Sequence, residues 1–132
     1  MIVTAFYAAL LTPLFVLLSV RVIGARRAGK QALGDGGDAA LLRRMRVQAN
    51  FAEYVPLALI LLSLAESMRA PVWLLHGLGI TLLAGRVSHA WGVSRPDETL
   101  SFRVAGMAMT LLTLGMSAVL CLVLSVSASV FR

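Results

Sequence analysis

Arg46, Asn50 and Glu53 fall on one stripe of an otherwise apolar helical segment. At about 100° per residue these side chains and Leu57 share a narrow band, with Arg43 and Tyr54 at its borders. Gln48 points toward a different neighbour. One face thus offers a cation, an amide, a carboxylate and a phenol within about two turns. Arg46 and Glu53 are seven residues apart, roughly 10 Å along a helix axis, which is too far for a direct ion pair. Glu53 then needs another cation, from a second helix, a second subunit or a ligand ammonium. The stripe reads as half of a binding site for a zwitterion. The competing reading is a buried polar network that fixes helix register. Ionisable side chains in membrane segments tend to mark functional sites.

The elements that carry these residues are apolar. The chain has 132 residues, 59% of them hydrophobic and only 14% charged, well below the charged share of a soluble domain. Residues 1–20 and 104–131 carry no charged side chain, 70–85 carry only His76, and 47–65 carry only Glu53. A membrane-spanning helix needs roughly 20 mostly apolar residues. The sequence therefore predicts an all-α integral membrane protein, a bundle of four transmembrane helices at about 2–24, 41–68, 71–92 and 100–130 in a single domain over 1–132. The first run lacks a basic segment ahead of it and is too long for a signal peptide, so it is expected to be retained. Pro56 falls inside the second helix, where it removes a backbone hydrogen bond and crowds the Ala52 carbonyl beside Glu53. The Gly34–Asp38 cluster and Ala70-Pro71 mark turns, as does the stretch from Ser94 to Thr99.

The net charge of +6 is unevenly distributed. Arg21, Arg26, Arg27, Lys30, Arg43, Arg44 and Arg46 flank the first connection, and Arg86, Arg95 and Arg103 flank the third. Arg69 and Arg132 lie on the other side. The positive-inside rule puts connections one and three in the cytoplasm and both termini opposite. Basic residues interleaved with aromatics are absent, so the charge does not predict a nucleic-acid partner. Arg21, Arg27, Lys30, Arg43 and Arg44 read most simply as topology determinants that contact anionic lipid. Neither histidine has a partner at metal-ligand spacing, and no metal is expected. Cys121 and the small residues Gly106, Thr110 and Ser117 on the Arg103 stripe of the fourth helix read as close packing.

The string Arg46-Val47-Gln48-Ala49-Asn50-Phe51-Ala52-Glu53-Tyr54-Val55-Pro56 resembles the second-helix signature of the MAPEG family, the membrane-associated proteins in eicosanoid and glutathione metabolism. Val22-Ile23-Gly24-Ala25-Arg26-Arg27-Ala28, Arg86-Val87-Ser88-His89 and Leu100-Ser101-Phe102-Arg103 resemble other segments of that family, in the same order along nearly the whole chain. The resemblance implies a homotrimer of four-helix protomers that binds glutathione between neighbouring subunits near the cytoplasmic face.

It also implies roles. Arg26, Arg46 and Arg86 would meet the glutathione carboxylates, for which the guanidinium fork is suited. Glu53 would take the ammonium, and Gln48, Asn50 and Tyr54 would bond the peptide. His89 would hydrogen-bond or titrate at the site. His89 and Val93 stand where the leukotriene-conjugating members carry tyrosines, while the microsomal transferases are similar to this chain at His89. Arg103 matches the residue that activates the thiol. Lowering a thiol pKa from about 8.5 to about 6.5 requires ~2.7 kcal/mol. A guanidinium about 4 Å away at an effective dielectric near 20 supplies roughly 4 kcal/mol, so one arginine suffices.

The function expected from the resemblance is a glutathione-dependent membrane transferase or peroxidase acting on apolar electrophiles or lipid hydroperoxides, with glutathione as co-substrate. Two alternatives are a non-catalytic family member that binds lipid and scaffolds a partner, and a small multidrug transporter that uses Glu53 for proton coupling.

Overall fold

The computed structural model describes residues 1–95 and 100–130. Four helices follow one another, α1 (Ile2–Ala28), α2 (Ala39–Ser67), α3 (Val72–Val93) and α4 (Leu100–Val130). They run up, down, up and down. The start of α1 meets the end of α2 through Thr4 and Glu66, and the end of α1 meets the end of α3 through Arg21 and Ser94. The arginine-rich connection and the close of α3 therefore share one end of the bundle. The expected turn through residues 96–99, and Arg132, lie outside the described residues.

The helices end four residues later, one earlier or one later than the hydropathy predicts, and each end has a local cause. α1 continues through Arg26 and Arg27 because charged residues at its open end cost the helix nothing. It stops where Lys30 adopts a left-handed φ of 52°. There Gln31 N donates to Arg26 O at 2.9 Å and Lys30 N to Arg27 O at 3.3 Å, a Schellman closure. α2 begins at Asp38, whose side chain accepts from Ala40 N at 2.8 Å and Leu41 N at 3.2 Å, capping orphan amides. The glycines ahead of it, Gly34, Gly36 and Gly37, all have positive φ, which explains the turn composition. α2 runs unbroken past Pro56.

α2 and α3 each pack against all three other helices, whereas α1 and α4 do not meet. One apolar cluster joins Leu11, Leu18, Val47, Phe51, Val55, Ala58 and Leu82 near the middle, and a second joins Val3, Tyr7, Leu62, Ala65, Leu75 and Leu78 toward the opposite end. α1, α2 and α4 are long and apolar enough to cross a membrane by length and composition. α3 falls short because it carries His76, Arg86 and His89. Arg86 and His89 are buried against neighbouring helices instead of facing outward. His76 meets the Tyr7 hydroxyl at 3.0 Å through Nδ1. α3 thus packs against every other helix and hides Arg86 and His89 within those contacts.

The α3–α4 hairpin is the tightest contact. A methyl group on Gly106 would lie 2.5 Å from His89 N and 2.6 Å from Gly85 O, so only glycine permits this approach. Ser88 Oγ donates to Phe102 O at 2.9 Å, which sets the register of the two helices.

Candidate functional site

The polar stripe of α2 lies on the flank of its buried face. Val47, Phe51, Val55, Ala58, Leu62 and Ala65 define that face. By helical rotation Asn50 lies about 90° from its centre and Glu53 about 150°. The stripe therefore divides. Asn50 is half-buried and turned toward α3, while Glu53 is exposed on the outside of the single chain.

Asn50 ties the helices together. Its Oδ1 accepts from Arg86 Nη1 at 2.8 Å, and its Nδ2 lies 3.9 Å from Met107 Sδ on α4. The Arg86 side chain is 1% exposed. Its Nε and Nη2 have no hydrogen-bond partner, and the Tyr54 phenol lies within electrostatic range. His89, one turn further along α3, is buried and sits within electrostatic range of both Arg86 and Arg103.

Two cavities meet at these residues. The first, about 300 Å³, is lined by Leu42, Arg43, Arg46, Asn50, His89 and Arg103, with Ala39 and Val93. The second, about 470 Å³, shares Asn50, His89 and Arg103 and continues past Val104, Met107, Ala108 and Leu111. Together they form a groove between α2, α3 and α4. One lobe is cationic and opens toward the arginine-rich end. The other is apolar and runs along α4 toward the middle of the bundle. An anionic, peptide-like molecule suits the first lobe and an apolar molecule the second.

Of the residues predicted from sequence, the structure brings Arg46, Asn50, His89 and Arg103 onto this groove and places Arg86 directly behind Asn50. It does not bring Arg26, Gln48 or Glu53 there. Arg26 donates to Ala32 O at 3.2 Å and to Met45 Sδ at 3.4 Å, holding the first connection against α2. Gln48 is half-buried away from the groove. Arg43, read above as a topology residue, lines the groove and donates to Arg95 O at 2.9 Å. Met107, Ala108 and Leu111 were not singled out from the sequence, because apolar residues on an apolar helix carry no local signal. Cys121 lies deeper on α4 and donates to Leu61 O at 3.2 Å, consistent with packing. Among the described residues, no three His, Cys, Asp or Glu side chains gather into a metal-binding group.

The family model described as MAPEG family matches residues 4–123, which reaches into all four helices. The chain belongs to the MAPEG family. Its relatives include two proteins named inner membrane protein YecN, from Escherichia coli K12 and Escherichia coli O6:H1. Each is 36% identical over 108 residues, 82% of this chain and 81% of the relative. As a MAPEG protein the chain is an all-helical membrane bundle, with its polar groove at the arginine-rich end. Membership supports a membrane role related to glutathione or lipid metabolism.

Proposed function

We propose that the protein is a glutathione-dependent membrane transferase or peroxidase. One observation carries this reading. The cationic lobe, with Arg43, Arg46 and Arg103, and the apolar lobe, with Val104, Met107, Ala108 and Leu111, adjoin through Asn50, His89 and Arg103. Such a groove holds a charged thiol and an apolar electrophile side by side, which is the proximity that conjugation requires. Arg46 and Arg43 attract the glutathione carboxylates. Arg103, at the junction, stabilises the thiolate after the thiol proton leaves to water. The sulfur then attacks the electrophile, forming the new S–C bond as the leaving group departs.

Glu53 supports the same reading from outside. Its carboxylate is exposed on a helix long and apolar enough to span a membrane. Facing lipid there is costly without a partner. A homotrimer with glutathione between neighbouring copies gives it the ligand ammonium, with Tyr54 beside it and Gln48 serving the site of the neighbouring copy. We place the arginine-rich end and the groove in the cytoplasm of an inner membrane, with both termini opposite, from the charge asymmetry and the name of the relatives.

Stopped-flow absorbance of the thiolate tests the reading. Wild type mixed with glutathione should develop a thiolate signal that Arg103→Ala loses. Equal signals in the two proteins, or none in either, overturn it. Copurified lipid with no thiolate signal would point instead to a lipid-binding scaffold.

A further inference from the structure

A separate cleft opens where α1, α2 and α3 meet at the arginine-rich end. It measures about 310 Å³ and is lined by Arg21, Ala39, Ala40, Arg43, Arg44 and Ser94. The geometry points to a binding site for the phosphate of an anionic phospholipid in the leaflet at that end.

The cations are prepositioned. Arg21 Nη1 donates to Ser94 Oγ at 3.2 Å, and Arg43 Nη1 donates to Arg95 O at 2.9 Å. A guanidinium has five donors, so its bond to Ser94 holds Arg21 in place and leaves further donors in the same fork. The arginines supply the attraction, because Asp38 already occupies the nearby helix amides of Ala40 and Leu41. The two non-bridging oxygens of a phosphodiester can be shared between the Arg21 guanidinium of α1 and the Arg44 guanidinium of α2.

Depth selects a lipid over a soluble phosphate. Arg21 lies two turns before the end of α1, level with the start of α2 and the end of α3. Leu17, one turn deeper on the same face, is exposed and apolar, as are Val16 and Val20 beside it. Acyl chains can therefore lie on α1 while the headgroup enters the cleft. Trp91 marks the same level: it is exposed, and the Arg95 guanidinium stacks 4.3 Å from its ring centroid. Such aromatic residues sit at membrane–water interfaces. The cleft is distinct from the groove but shares Ala39 and Arg43 with it. The inference does not rest on the proposed chemistry, and either can fail alone.

Lipid retention measured by native mass spectrometry tests it. The purified full chain would be released from nanodiscs of about one part phosphatidylglycerol to four parts phosphatidylcholine. Wild type should retain phosphatidylglycerol selectively. The double variant R21Q/R44Q should weaken retention roughly thirtyfold, at about fivefold per interfacial arginine. The pair R27Q/K30Q, which removes the same charge from the end of α1 outside the cleft, should weaken it less than about threefold. Should R21Q/R44Q fail to fold, Arg44→Gln alone is expected to give about a fivefold loss. Equal losses in both double variants, or no loss in Arg44→Gln, overturn the site in favour of diffuse attraction. Displacement of the lipid by millimolar inorganic phosphate overturns the lipid assignment and leaves a site for soluble phosphate.

Discussion

Arg86 Nη1 donates a 2.8 Å hydrogen bond to Asn50 Oδ1, and this bond couples α3 to α2 behind the wall of the groove. It is the only hydrogen bond among the described residues for a guanidinium whose Nε and Nη2 are buried without partners. Asn50→Leu removes it and leaves the whole cation unpaired. Losing a hydrogen bond to a buried charged group costs about 1.5–3 kcal/mol, so the thermal midpoint in detergent should fall. The double variant Asn50→Leu/Arg86→Met, which removes the charge as well, should recover most of the loss. No recovery would mean that the pair contributes packing and not solvation of the buried guanidinium.

Glu66 and Thr4 make the corresponding link at the other end. Glu66 Oε1 accepts from Val3 N at 2.9 Å, and Oε2 accepts from Thr4 N at 2.9 Å and Thr4 Oγ1 at 2.7 Å. A carboxylate from the end of α2 thus caps the start of α1. Caps are worth about 1 kcal/mol and charge-assisted bonds more. Glu66→Ala should destabilise the protein by about 1–3 kcal/mol, and hydrogen exchange should rise first in the opening turn of α1. Uniform exchange across α1 would contradict the capping role.

Gly106 sets the distance between α3 and α4. Its added methyl would lie 2.5 Å from His89 N, whereas nothing lies within 4 Å of one added at Gly115 on the same helix. Gly106→Ala forces the hairpin apart and should cost about 2 kcal/mol or more. Gly115→Ala should stabilise by up to about 1 kcal/mol through helix propensity. Paired thermal denaturation curves decide this, and similar shifts in the two variants would contradict the close approach.

Arg69 closes α2 with a φ of 62°, donating to Glu66 O at 3.0 Å while Ala70 N donates to Ala65 O at 3.0 Å. This Schellman position favours glycine. Arg69→Gly should therefore stabilise by about 0.5–1 kcal/mol. A lower unfolding midpoint would mean that the arginine side chain contributes more than its backbone strain costs.

These relationships show which features the sequence carried. Apolar run lengths located all four helices, because a membrane helix must bury its backbone hydrogen bonds within itself. Helix rotation brought Arg46 and Asn50 to one face, and both line the groove. It did not separate Asn50 from Glu53, because the split depends on where α3 packs against α2. The family resemblance gives Arg86 to the glutathione carboxylates, but only the α2–α3 contact shows that it is buried behind Asn50. Arg26 matched a family segment, yet its position against Ala32 and Met45 depends on how the first connection folds back. Glu66 gave no signal, because its partners are backbone amides more than sixty residues away in sequence. Local spacing reports faces, while burial and pairing belong to the tertiary arrangement.

The two lobes of the groove make separable contributions if the proposed chemistry holds. Ala108 lines only the apolar lobe, on the exposed side of α4, and is not among the residues around the cationic one. Ala108→Trp should fill that lobe without altering the field of Arg103 on the thiol. The thiolate signal and the KM for glutathione should then be unchanged. The KM for an apolar electrophile should rise about tenfold, the loss expected when a pocket forfeits roughly 1.4 kcal/mol of binding. Ala118→Trp, more than two turns along α4 and equally exposed, should leave both constants near wild type. A rise in electrophile KM with Ala118→Trp as well would trace the effect to a bulky residue on α4 in general. Loss of the thiolate with Ala108→Trp would show that the two lobes act as one site.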